Sequence, residues 1–132
     1  MRTIKLGETE VRAQGSPLAL FYYQREFATA DGPADWYADY ERAFARASEA
    51  PRDDEGKVEV GRFLAGIDSV FLLKTLWAMA RNADGDVPPF EEWAASLDAS
   101  MAPVAMWKLE VNSAINAELF RVRVEDEGAE RA

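Results

Sequence analysis

The sequence predicts a mainly α fold: an N-terminal β-hairpin packed on a compact bundle of about five helices. Residues 2–13 alternate apolar and polar side chains with a period of two. Everything after Ser16 carries apolar residues at helical spacing, punctuated by helix-starting and helix-breaking residues. With 132 residues, 48% of them apolar, the chain has enough material to bury a core. The expected organisation is a single domain over 1–122, with the hairpin at 1–15, helices over 16–122 and a disordered tail at 123–132.

In the hairpin, Ile4 and Leu6 alternate with Thr3 and Lys5, and Val11 and Ala13 with Glu10 and Arg12. A two-residue turn at Gly7 and Glu8 suits type II′ geometry and pairs Leu6 with Thr9, Lys5 with Glu10 and Ile4 with Val11. One face then carries an opposite-charge pair and the other an apolar pair. Such a ribbon is marginal alone, so its apolar face is expected to pack on the helices.

Ser16 followed by Pro17 reads as an N-cap with proline at the first helical position. This first helix is expected to reach Thr29, where Asp31, Gly32 and Pro33 break it and start the next. The second helix places Trp36, Tyr40, Phe44 and Ala47 on one stripe. A loop follows over Pro51 to Lys57. A third helix, from Glu59 to Asn82, is apolar around nearly its whole circumference, which places it at the centre of the fold. Pro88 and Pro89 start a short helix with Phe90, Trp93 and Leu97 on one side. Ser100 is expected to cap the last helix, whose stripe is Val104, Trp107, Val111, Ile115 and Glu118, with Leu109, Leu119 and Phe120 off it.

The chain contains no histidine and no cysteine. That removes the commonest general acid/base, the commonest metal ligand and the thiol nucleophile together. It contains no phosphate-binding glycine loop, no Gly-x-Ser-x-Gly and no Ser-x-x-Lys pattern. The adjacent acids Asp53, Asp54 and Glu55 read as a solvated loop, and Glu91 and Glu92 as the acidic first turn of a helix. The segment Ala80 to Glu91 resembles a calcium loop through Asn82, Asp84, Gly85 and Glu91, yet Ala80 stands where the first carboxylate belongs and Pro88 and Pro89 interrupt it. No cofactor, metal or catalytic residue is expected. The formal net charge of −9 disfavours nucleic acid. Arg62, Asp68 and Lys74 interrupt the longest apolar region, so no membrane span is expected, and the polar alternation after Met1 is not that of a signal peptide.

What remains is a chain suited to binding. Leu20, Tyr23 and Phe27 share a face of the first helix and read as core. Tyr22, Trp36, Tyr37 and Tyr40 exceed what one small core needs and are the candidate partner-binding residues, because aromatics anchor protein interfaces.

The order of these parts resembles a known family. A hairpin carrying Ile4, Leu6, Gly7, Val11 and Ala13 leads through Gly15, Ser16 and Pro17 into the segment Leu18 to Phe27. Then come the hydrophobic stretch Leu72 to Arg81 and the segment Pro89 to Trp93. This is similar to the tail assembly chaperones of long-tailed bacteriophages and prophages of Gram-positive hosts, over about residues 4 to 97. The resemblance implies a non-catalytic protein of the host cytoplasm, absent from the mature virion. Its partners would be the tape measure protein, whose long amphipathic helices it keeps soluble, and the tail tube protein, with self-association a further expectation. It also implies a longer frameshifted form extending past Phe120. The alternative reading is a small acidic helical adapter or regulator of bacterial origin, antitoxin-like or a DNA mimic; in the second helix, Arg42 interrupts the acid spacing that a mimic needs. A third is an enzyme working with carboxylates alone.

Overall fold

The computed structural model describes residues 1–97 and 106–120. Strands β1 (Arg2–Leu6) and β2 (Thr9–Ala13) pair antiparallel, with Ile4 opposite Val11, Lys5 opposite Glu10 and Leu6 opposite Thr9. Gly7 supplies the turn with a φ of 64°, a left-handed conformation that a primed two-residue turn requires and glycine adopts without strain. Ile4, Leu6, Val11 and Ala13 are buried. Helix α1 (Pro17–Glu26) begins as expected, the Ser16 hydroxyl accepting from the Leu18 N–H. It ends at Glu26 rather than Thr29, because Thr29 and Gly32 exchange hydrogen bonds in a tight bridge that helical backbone does not permit.

Helix α2 (Trp36–Phe44) starts after Asp35 rather than at Pro33, since the Asp35 carboxylate accepts from the Ala38 N–H and sets the first turn there. A short 3₁₀ turn follows at Ala47–Glu49. The 51–57 loop is closed by a bridge between Arg52 and Val58, and Asp53 Oδ1 accepts from the Glu55 and Lys57 amides inside it.

The expected third helix is two helices, α3 (Val60–Ala65) and α4 (Ser69–Ala83). The interruption runs over Gly66 to Asp68. A Cβ at Gly66 would lie 2.7 Å from the Ala47 nitrogen, so the close approach there suits glycine. Asp68 then leaves helical geometry to cap α4, accepting from the Val70 and Phe71 amides, while its own N–H donates to the Ala43 carbonyl. Six helices are therefore described where about five were expected.

α4 is nevertheless the central element: Phe71, Leu72, Thr75, Leu76, Trp77, Ala78, Met79 and Ala80 are all buried. Removing a Leu or Phe side chain from water contributes about 1.5–3 kcal/mol, and α4 supplies more of the buried side chains than any other element among the described residues. It packs on α1, β2, α2, α5 and α6. The Gln14 N–H donates to the Met79 carbonyl, and the Asn82 amide donates to the Gln14 carbonyl and Ser16 hydroxyl, so α4 holds the hairpin exit as well as the start of α1.

Helix α5 (Phe90–Ala95) follows the double proline; the Trp77 indole donates to the Pro88 carbonyl and the Phe90 N–H donates to Glu26. Helix α6 (Met106–Ala114) continues into a wider π turn at Ile115–Leu119. Trp107, Val111 and Ile115 are buried, whereas Leu109 and Phe120 are exposed and Leu119 is half-buried, which is the expected stripe. Glu118 belongs to that stripe because its carboxylate accepts from the Gly15 N–H at 3.1 Å and lies 3.5 Å from the Met1 ammonium. Lys108 donates to the Leu64 and Ile67 carbonyls, fastening α6 to the α3–α4 break. Burial lowers its ammonium pKa, partly offset by Asp68. The expected Ser100 cap, Val104 and the tail at 123–132 lie outside the described residues.

Candidate binding surface

The four aromatic candidates do not form one patch. Trp36 is only 4% exposed and lies in the core, its indole donating to Thr75, the one buried polar side chain among the described residues. Its ring meets those of Tyr37, Tyr40, Phe71 and Phe120 within 6 Å. Tyr40 is half-buried, stacked on Phe44 with centroids 4.4 Å apart, and burial raises its phenol pKa. Tyr37 is 59% exposed. Tyr22 is half-buried on α1, away from the other three. Helical spacing found the aromatic stripe of α2 but did not separate its core member Trp36 from its outward neighbour Tyr37.

Beside Tyr37 lies a cleft of about 470 Å³ between α1 and the start of α2, walled by Leu20, Gln24, Pro33, Ala34, Trp36 and Tyr37. Its shape follows from local rules. The Ala34 N–H donates to the Gln24 carbonyl, which pins the connecting segment against α1, and Asp35 turns the chain into α2. Among the described residues, Asp35 is the one charged residue that lines it. Leu18 and Phe21, which do not line the cleft, are 47% and 49% exposed on α1. They give the helix an exposed apolar side of the kind that receives an amphipathic segment.

A second cleft, of about 260 Å³, is polar and is lined by Tyr23, Asp39, Arg42, Asp68 and Lys74 among others. Its groups are already committed. The Tyr23 hydroxyl donates to Asp39 at 2.7 Å, Arg42 pairs with the other Asp39 oxygen, Asp68 caps α4, and Lys74 lies over the Phe27 ring. Burial first, then the hydrogen bond and charge of Asp39, push the Tyr23 phenol far above its ordinary pKa. Leu20 and Phe27 pack against the core beside the buried Tyr23, as their shared face predicted.

The calcium-like segment is folded as the end of α4, a turn and the start of α5. Asn82 is spent on the hairpin exit, and Asp84 accepts from the Asp86 N–H. Among the described residues no group of three or more acids is placed to hold a metal, and no helix is long and apolar enough to cross a membrane. No family model, curated protein or solved structure matches the chain.

Sequence reasoning missed Arg25 and Arg81. Arg25 follows Tyr22 by three residues on α1, a spacing that could have paired them, while the packing of α1 along α4 brings Arg81 onto the same Tyr22 ring.

Proposed function

We propose that this chain is a non-catalytic tail assembly chaperone, working in the cytoplasm of a bacterial host and left out of the mature virion. In this reading it covers the amphipathic helices of a tape measure protein and recruits tail tube subunits. The observation that carries it is exposed apolar surface on and beside α1: the side chains of Leu18 and Phe21 on one side of the helix, and the α1–α2 cleft lined by exposed Tyr37. An amphipathic helix seats its apolar face in such a groove through residues at i, i+3, i+4 and i+7. The family resemblance of residues 4 to 97 supplies the identity of the helix. The absence of histidine and cysteine from the sequence fits a binding role.

Reading the few kilobases of DNA downstream of the gene tests the proposal. The expected result is a slippery run near its 3′ end, followed by a very long frame encoding a helical protein. Ordinary metabolic or regulatory neighbours would overturn it and favour the small acidic adapter.

A further inference from the structure

The acidic balance of the chain is inverted along one edge of α1. Leu18, Phe21, Tyr22 and Arg25 lie three or four residues apart and share one side of the helix. The Arg25 guanidinium lies 5.1 Å from the Phe21 ring centroid and 5.4 Å from that of Tyr22. Arg81, on α4, reaches the same Tyr22 ring at 4.7 Å. Among the described residues neither guanidinium has a carboxylate partner, although the chain holds 24 acidic residues against 15 basic ones. Contact with the ring faces holds the two cations in place and leaves their N–H donors available to a planar acceptor.

We propose that this edge docks the acidic flank of an amphipathic helix. The apolar residues of the partner meet Leu18, Phe21 and Tyr22, and a Glu or Asp beside that stripe is held by Arg25 and Arg81. The inference rests on the reading that the chain binds amphipathic helices, and adds the charge its partner must carry. The overall charge of −9 acts in the opposite sense, favouring a basic partner. At physiological salt, fields are screened over about 8 Å, so the two guanidiniums in direct contact outweigh it.

Two fluorescein-labelled 20-residue helical peptides provide the test. They share one leucine stripe and differ only in carrying Glu or Lys beside it. Each is titrated with the full chain and with the double variant R25E/R81E, whose fold is checked by thermal melting. Two partly exposed ion pairs are expected to give the wild-type chain about a tenfold preference for the Glu peptide. R25E/R81E should reverse that preference; if that variant unfolds, R25Q/R81Q should abolish it. Equal binding of both peptides by the wild-type chain overturns the acidic-flank assignment and leaves helix binding standing. Binding of neither overturns the α1 docking face itself. The chaperone reading is judged separately, by the genes downstream.

Discussion

Replacing Gly15 by alanine should damage the fold out of proportion to the one methyl group it adds. Gly15 is buried where the hairpin exit meets the final π turn. A Cβ there would lie 2.3 Å from the Glu118 carbonyl oxygen and 2.5 Å from the Glu118 Cβ, so backbone must move. Overpacking of this kind costs about 1–3 kcal/mol. The same movement pulls the Gly15 N–H from the Glu118 carboxylate, a charge-assisted bond contributing about 1.5–3 kcal/mol. With partial relaxation we expect a loss of about 3 kcal/mol, which for a domain of this size lowers Tm by about 10 °C. Calorimetry measures it, and hydrogen exchange should show the Val111–Leu119 amides losing protection first. Gly61→Ala is the control: a Cβ at Gly61, within α3, meets nothing within 4 Å, so alanine there should stabilise by about 0.5–1 kcal/mol. A Gly15→Ala protein melting within about 2 °C of the wild type would refute the packing argument.

Thr75→Val should leave the Trp36 indole N–H buried without an acceptor and lower denaturant stability by about 1–3 kcal/mol, at unchanged m-value. Asp68→Ala removes the cap that starts α4 and should cost about 1 kcal/mol, read by urea titration. Tyr23 governs an alkaline limb. Its folded pKa lies above the unfolded value of 10.0, so its contribution is full below pH 10 and is lost as pH rises through the folded pKa. Wild-type stability should therefore fall above pH 10 by up to about 1.4 kcal/mol per pH unit relative to Tyr23→Phe. The phenylalanine variant should start about 1 kcal/mol less stable at neutral pH, so the two curves converge and cross on the alkaline side. Parallel curves through that range would contradict the assignment.

The hairpin could be read from sequence down to its register because strand period, turn glycine and charge pairing all agreed on one answer. The same holds for the start of α1, where Ser16 and Pro17 act locally. The break between α3 and α4 could not, because apolar spacing continues across it while Asp68 leaves helical geometry to cap α4 and donates its N–H to the distant Ala43 carbonyl. Helix ends at Glu26 and Asp35 were missed for a milder reason, since a bridge and a carboxylate cap compete with helix within a few residues. On the candidate surface, periodicity identified the aromatic side of α2 but not its depth, so Trp36 was grouped with Tyr37 until its bond to Thr75 placed it inside. In the Arg25–Tyr22–Arg81 cluster the Tyr22–Arg25 spacing was legible within α1, but the contact of Arg81 joins two helices and leaves no trace in either alone.

In the proposed role this chain binds a long helical partner and keeps it soluble. Co-expression with the product of the long frame expected downstream tests it most directly. The partner, insoluble alone, should appear in the soluble fraction and co-elute with this chain on size exclusion. A partner that stays in the pellet beside abundant, folded chain would contradict it.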